Sequence, residues 1–251
     1  MEKIEKLQKI FDECSNIVFF GGAGVSTDSG IPDFRSQDGL YNQQYDYPPE
    51  YMLSVDCFVK QPKEFFKFYN DKILCCLSAK PNFTHYFLAE AEKKGKLRSV
   101  ITQNIDGLHQ KAGSKTVREL HGTVMKNYCV KCHTFYDVDY IRDQYPPICQ
   151  CDREIEHCGV ITCEGIIKPD VVLYGETLNT QTVSDAVNDI ENADALIIGG
   201  TSLVVHPACD LVDAFKGKYL VVINKETTPQ DDIANLVFHE KLNDVLKQIK
   251  L

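Results

Sequence analysis

Two sets of residues in this chain have the types and spacing that chemistry needs. The first is Val18-Phe19-Phe20-Gly21-Gly22-Ala23-Gly24-Val25-Ser26-Thr27, an apolar run that ends in glycines. Glycines let backbone approach a pyrophosphate, and a following helix points N–H groups and its positive dipole end at the anion. Thr27 stands where the usual dinucleotide fingerprint has its third glycine, so on these residues alone a tight strand-to-helix turn competes with the phosphate reading. The second set is the pair Cys129-Val130-Lys131-Cys132, followed by Cys149, Cys151, Cys158 and Cys163. Four thiolates make a closed tetrahedral zinc site, which is structural because no position is left open for catalysis. Smaller signals lie elsewhere. Arg35 beside Phe34 could bring a cation and a ring to phosphate and ribose. Gly200-Thr201-Ser202 offers hydroxyls and backbone N–H groups to phosphate, or simply caps a helix. His121 carries an imidazole that titrates near the working pH, although a histidine before glycine is also an ordinary structural residue.

The elements that must position these residues are legible in the apolar pattern. Short runs rich in β-branched and aromatic residues occur at 16–20, 97–101, 195–198 and 219–223, with a further strand at 117–120. Such runs suit strands covered on both faces of a parallel sheet. Helical periods separate them at 62–79, 82–94, 180–191 and 207–215, and Ile4, Leu7, Ile10 and Phe11 form one stripe near the N-terminus. Alternation of this kind predicts an α/β fold, a Rossmann-like doubly wound parallel sheet. The stretch from 122 breaks the pattern; it is rich in Cys, Tyr, Asp and Pro and reads as an inserted zinc-binding module too short to fold without its metal. The expected division is residues 1–34, 80–121 and 170–251 for the nucleotide-binding domain, 35–79 for a cofactor-binding loop and helical segment, and 122–169 for the zinc module.

Composition narrows the function classes. The chain has 251 residues, 43% of them hydrophobic and 25% charged, with a net charge of −9. It is long enough for a sizeable core, and a disordered or fibrous chain is excluded. Acidity argues against nucleic acid as a partner. No apolar stretch reaches the roughly 18 residues of a membrane helix, so no membrane partner is expected. The charged N-terminus lacks the apolar segment of a secretory signal, and with 11 cysteines a reducing cytoplasm is the expected location. Oligomeric state is not encoded in any feature of this kind.

Five longer motifs occur in one order: Gly24-Val25-Ser26-Thr27-Asp28-Ser29-Gly30-Ile31-Pro32-Asp33-Phe34-Arg35, Thr102-Gln103-Asn104-Ile105-Asp106-Gly107-Leu108-His109, Glu119-Leu120-His121-Gly122, Gly199-Gly200-Thr201-Ser202-Leu203 and Val222-Ile223-Asn224. In these the chain resembles the sirtuins, NAD-dependent protein lysine deacylases, as a small, core-only, bacterial-type member. The resemblance runs from about residue 5 to 245. It implies an NAD site built from Gly22, Ala23, Gly24, Thr27, Asp33, Phe34, Arg35, Gln103, Asn104, Ile105, Asp106, His121, Gly200, Thr201, Ser202, Asn224, Lys225, Glu226 and Leu242. Within it, Asp106 would accept a hydrogen bond from the nicotinamide amide, Asn104 would position the ribose, and His121 would act as general base. An acyl-lysine peptide would add as a strand between Val171-Val172-Leu173-Tyr174 and Leu203-Val204, in a cleft between the domains. The products would be free lysine, nicotinamide and O-acyl-ADP-ribose.

The same resemblance bears on the metal. Cys163 leads into Glu164-Gly165-Ile166-Ile167-Lys168-Pro169, as after a last zinc ligand, and Cys158 precedes it by four intervening residues. Cys129, Cys132, Cys158 and Cys163 are therefore the expected ligands, with Cys149 or Cys151 as the alternative to Cys158. One sirtuin branch reads succinyl- and malonyl-lysine with a Tyr and an Arg three residues apart; here Tyr69 is followed by Lys72, which lacks the bidentate fork. Acetyl-lysine is the expected substrate, with desuccinylation or demalonylation as an alternative acyl preference. ADP-ribosyl transfer to protein and NAD hydrolysis are the rival uses of the same NAD site.

Overall fold

The computed structural model describes residues 2–33, 47–155 and 159–251. Its strands, numbered along the chain, are β1 (Ile17–Gly21), β2 (Leu97–Thr102), β3 (Val117–Glu119), β4 (Gly122–Cys129), β5 (Phe135–Asp137), β6 (Asp152–Ile155), β7 (Gly159–Thr162), β8 (Ile167–Val171), β9 (Ala195–Gly199), β10 (Tyr219–Ile223) and β11 (Leu236–Phe238). The chain divides into two compact units, one of Met1–Asn42, Ala79–His121 and Leu178–Leu251, the other of Gln43–Ser78 and Gly122–Thr177.

The first unit is built on a six-stranded sheet in the order β11-β10-β9-β1-β2-β3, and every pairing is parallel. β1 is fully buried along its length, as its unbroken apolar run requires of a strand covered on both faces. Alternation then decides the two cores. Ile17 and Phe19 pack with Leu7, Phe11, Leu88 and Val245 on one face. Val18 and Phe20 pack with Ala186, Ile190, Ala208 and Val212 on the other. Helices Glu2–Glu13, Phe83–Lys93 and Leu242–Leu246 supply the first layer; Thr180–Glu191 and the tight turns of Ala208–Ala214 supply the second. A doubly wound α/β fold is the result, as the sequence predicts.

The topology fixes where a ligand can bind. From β1 the chain winds outward to β2 and β3, then returns to β9 on the opposite side and winds out again. Neighbouring crossovers thus leave the sheet in opposite directions between β1 and β9, opening a crevice at their carboxyl ends.

The second unit holds an antiparallel sheet, β5-β4-β8, and the β6-β7 hairpin. The segment 47–78 belongs to this unit and does not stand alone: Val55 N–H donates to the Tyr174 carbonyl, and Tyr174 N–H to that of Leu53, both at 3.0 Å. Its aromatic residues form a local core, in which Tyr69 is fully buried and stacks on Phe65 at 5.7 Å. The single helix expected at 62–79 is divided. It runs as α-helix over Pro62–Phe68, widens to a π turn over Tyr69–Ile73 and tightens over Leu74–Ser78. Asn70, Cys75 and Ser78 side chains donate to the carbonyls of Phe66, Lys72 and Cys75, in competition with the helical ladder.

Candidate functional site

The crevice between β1 and β9 is lined by two glycine turns that grip each other. Gly24 N–H donates to the Gly200 carbonyl at 2.8 Å. A Cβ at Gly24 would lie 2.8 Å from the Gly200 Cα, and one at Gly200, where φ is +60°, would lie 2.6 Å from the Val25 nitrogen. Neither position accepts a side chain, so the turns that follow β1 and β9 present bare backbone at the sheet edge, as close approach by a pyrophosphate requires. Gly22, Ala23 and Thr27 lie on the first turn, the Thr27 hydroxyl donating to the Gly24 carbonyl. Thr201 and Ser202 lie on the second, and Thr201 Oγ1 accepts from both Gln103 Nε2 (3.1 Å) and Leu203 N–H (3.2 Å).

After β2 the chain places its polar side chains in one bonded relay. Asn104 Nδ2 donates to Ser26 Oγ at 3.0 Å, and Ser26 Oγ donates to Asp106 Oδ2 at 2.7 Å. The other Asp106 oxygen accepts Leu108 N–H at 2.8 Å, capping the turn of helix Leu108–Ala112. Ser26 is 1% exposed. It joins the two motifs, and was missed as a site residue because nothing in its own spacing distinguishes it from a turn serine.

His121 follows β3. Its Nδ1 lies 2.9 Å from the Gln103 carbonyl. Only an Nδ1–H can satisfy that acceptor, so Nε2 carries the lone pair of the neutral ring. Burial pushes the imidazole pKa down, and the Gln103 carbonyl pushes it partly back up. A neutral, oriented imidazole with a free Nε2 has the state of a general base. Gly122 next to it sits at φ +76°, and a Cβ there would come within 1.9 Å of the Asp170 carbonyl. That crowding explains the glycine after the histidine.

The remaining positions distribute as follows. Asn224 follows β10, its side chain donating to the Glu226 carbonyl, while Lys225 and Glu226 are exposed. Asp33 and Ile105 are half-buried. Leu242 is a core residue at the start of its helix, 3.0 Å from where a Cβ of Gly199 would stand. Phe34 and Arg35 lie outside the described residues. In the first unit Leu203 is buried, with φ +53°, and Val204 is exposed. In the second, Val171, Val172 and Leu173 end or follow β8, and Tyr174 is exposed.

The second unit gathers four thiols. The sulfurs of Cys129, Cys132, Cys149 and Cys163 all lie within 4.8 Å of one another. Two of the separations are 3.6 Å (Cys129 to Cys163) and 3.5 Å (Cys132 to Cys149). Tetrahedral zinc with Zn–S bonds of about 2.3 Å needs sulfurs roughly 3.8 Å apart, so the donor set fits that ion. Burial pushes the Cys163 thiol up to about 12, whereas the bond to Thr134 holds Cys132 down at about 5. Among the described residues the fourth thiol of the cluster is Cys149; Cys158, favoured from the sequence, lies outside the described residues. The backbone explains why Cys149 reaches the cluster: its N–H donates to the Gly165 carbonyl at 2.8 Å, and its carbonyl accepts Glu164 N–H at 3.1 Å. That pairing lays the segment around Cys149 against the turn that carries Cys163. Cys151 is not in the cluster, although its carbonyl accepts Cys163 N–H.

Comparison with known proteins agrees with this geometry. The Sir2 family model matches residues 22–207. A protein of Clostridium tetani named NAD-dependent protein deacetylase is 49% identical over 98% of this chain and 96% of its own length. One of Clostridium acetobutylicum with the same name is also 49% identical, over 99% of this chain and 98% of its own. Among solved structures, a Sir2 bound to acetylated peptide aligns with a TM-score of 0.82 at 36% identity, covering 98% of this chain and 96% of the other. A Sir2 bound with peptide and NAD+ gives 0.83 at 37%, with the same coverage. With a family model over most of its length and near-half identity to full-length relatives, the chain belongs to the Sir2 family.

Proposed function

We propose that this protein removes acyl groups, acetyl foremost, from protein lysines at the expense of NAD, and that it releases nicotinamide and O-acyl-ADP-ribose. The observation that carries the reading is the set His121, Gln103, Asn104, Ser26 and Asp106, bonded into one constellation at the carboxyl edge of the sheet. NAD, when bound, supplies an electrophilic ribose carbon and a nicotinamide leaving group. The glycine turns at 22–24 and 199–200, with Thr201 and Ser202, hold its phosphates; the motif resemblance gives Phe34 and Arg35 a role at the same cofactor. Asn224, Lys225 and Glu226 take the adenosine end. Asp106 accepts the carboxamide N–H, and Asn104, held by Ser26, orients the ribose and a water. His121 Nε2 takes a proton from a ribose hydroxyl while its Nδ1–H stays on Gln103.

The acyl-lysine peptide is held by main-chain bonds to 171–174 and to Leu203-Val204. Zinc, held by Cys129, Cys132, Cys149 and Cys163, closes the fold of the second unit and takes no part in catalysis. No helix among the described residues is long and apolar enough to cross a membrane. A metal-binding thiol cluster and an NAD requirement suit the cytoplasm as the working compartment.

The test is mass spectrometry of products from NAD and a matched set of acetyl-, succinyl- and malonyl-lysine peptides. Free lysine with O-acyl-ADP-ribose, fastest from the acetyl peptide, supports the reading. A mass gain on protein, or ADP-ribose alone, would assign the site to ADP-ribosyl transfer or NAD hydrolysis. Tyr69 packs as a core ring, which argues against a carboxylate-reading role. A succinyl preference abolished by Lys72→Ala would overturn the acetyl choice.

A further inference from the structure

A second cluster of metal-ligating side chains lies in the first unit, after β9. His206, Cys209 and Asp210 each offer one ligand atom, and these atoms lie within 4.8 Å of one another. Cys209 Sγ is 3.4 Å from His206 Nδ1 and 3.6 Å from Asp210 Oδ1, and His206 Nδ1 is 2.7 Å from Asp210 Oδ1. The spacing in sequence explains the convergence. Cys209 N–H bonds the Val205 carbonyl at 3.0 Å and Asp210 N–H bonds that of Pro207 at 3.2 Å, so one closed turn brings all three to one side.

A tetrahedral ion with bonds of about 2.0 Å to nitrogen and oxygen and about 2.3 Å to sulfur needs ligand separations of roughly 3.3–3.5 Å. Both sulfur distances already match. Only the His–Asp pair must open, by about half an ångström, exchanging its mutual hydrogen bond for two bonds to the ion. Side chains of His206 and Asp210 are 70% and 56% exposed, which gives an ion an entry path and leaves room for water. Nitrogen, thiolate and carboxylate donors together favour Zn2+ among the hard and soft divalent ions.

We propose that His206, Cys209 and Asp210 form a second Zn2+ site, with three protein ligands and one water, distinct from the four-thiol centre. It is weaker than that centre, because it has one thiolate instead of four and is open to solvent. Metal here pins the turn that continues directly from Leu203-Val204-Val205. The site stands independently of the deacylase reading.

The experiment titrates CoCl2 into the full protein with its four-thiol zinc retained. One further equivalent of Co2+ should bind, with the intense visible bands of a four-coordinate ion and a sulfur-to-cobalt charge-transfer band. His206→Ala and Asp210→Ala, both at exposed positions outside the core, should each weaken binding at least tenfold. Cys209→Ser should abolish the charge-transfer band. Cys75→Ser, at another exposed thiol, should leave the titration unchanged, and added Zn2+ should displace the Co2+ stoichiometrically. Absence of a second equivalent, octahedral spectra, or titrations unmoved by His206→Ala and Asp210→Ala would overturn the proposal.

Discussion

At the scale of single residues, what His121 does follows from which of its nitrogens is engaged. Nδ1 is committed to the Gln103 carbonyl, and burial keeps the ring neutral, so Nε2 is the working atom. His121→Ala is expected to cut deacylation by roughly 10²–10⁴-fold, the usual loss for a positioned general base, with the melting temperature nearly unchanged. Nicotinamide exchange should survive better, because breaking the bond to nicotinamide needs no base; near wild-type product formation would remove the role. The zinc ligands allow an equally sharp test. With Cys149 as the fourth thiol, Cys149→Ser should lose the metal by elemental analysis and unfold the second unit at lower denaturant, whereas Cys158→Ser should keep one zinc per chain. Metal retained in Cys149→Ser and lost in Cys158→Ser would restore the ligand set expected from the sequence.

At the scale of elements, β1, β2, β3, β9, β10 and the longer helices were legible because their apolar periods are unbroken, whereas β11, three residues long, and short helices such as Leu108–Ala112 were not. Phe83–Lys93 and Thr180–Glu191 fall within a residue of the expected 82–94 and 180–191. The helix over 62–79 was not legible in full. Its apolar spacing is helical throughout, but Asn70, Cys75 and Ser78 divert carbonyls from the ladder, an effect of side-chain bonding that periodicity does not register. The fourth cysteine was left open for a related reason. The motif resemblance favoured Cys158, which lies outside the described residues, whereas backbone pairing with Gly165 brings Cys149 to the other three thiols. One tie between elements was invisible altogether. Arg98 on β2 and Arg118 on β3 both bond Asp189 on helix Thr180–Glu191, at 2.7 and 3.0 Å. Burial of Asp189 would raise its carboxyl pKa, but the two guanidiniums outweigh it and the net shift is downward. Asp189→Asn leaves both cations without their shared carboxylate. It should cost about 3 kcal/mol in urea unfolding, the low end for breaking a buried pair, because Arg98 keeps some access to water. A loss under about 0.5 kcal/mol would mean the network is worth no more than a surface pair.

At the scale of the whole molecule, the pH dependence of stability rests on two histidines that the proposed chemistry leaves unused. His85 and His109 are buried against one another, with ring centroids 4.7 Å apart, and Phe19 packs 6.5 Å from His109. Both His109 nitrogens lack a hydrogen-bond partner, while His85 Nδ1 accepts Asn82 N–H at the cap of helix Phe83–Lys93. Burial lowers His85 to about 4, with Asp106 opposing it, and lowers His109 to about 3, with His85 adding to the effect. An unfolded chain takes up these protons near pH 6.5, as an ordinary histidine does, whereas the folded chain refuses them until about pH 4 and about pH 3. Their contribution is therefore complete above about pH 6.5 and is lost as the pH falls from there, at about 1.4 kcal/mol per pH unit for each proton taken up by the unfolded state. Asp189 does not share this window. Its lowered carboxyl pKa keeps it ionised through the same range, and its own contribution is lost only in stronger acid. Zinc does share it, because protonating thiolates releases metal as the pH drops. A difference between two proteins separates the terms. His109→Gln keeps the size and the polar character of the ring edge but cannot be charged. Urea unfolding of wild type and His109→Gln between pH 7.5 and 4.5 should show the same metal-linked loss in both, and a slope shallower by about one proton in the variant. Equal slopes would mean that His109 takes up its proton at the same pH in the folded and the unfolded chain, and that burial does not hold the ring neutral.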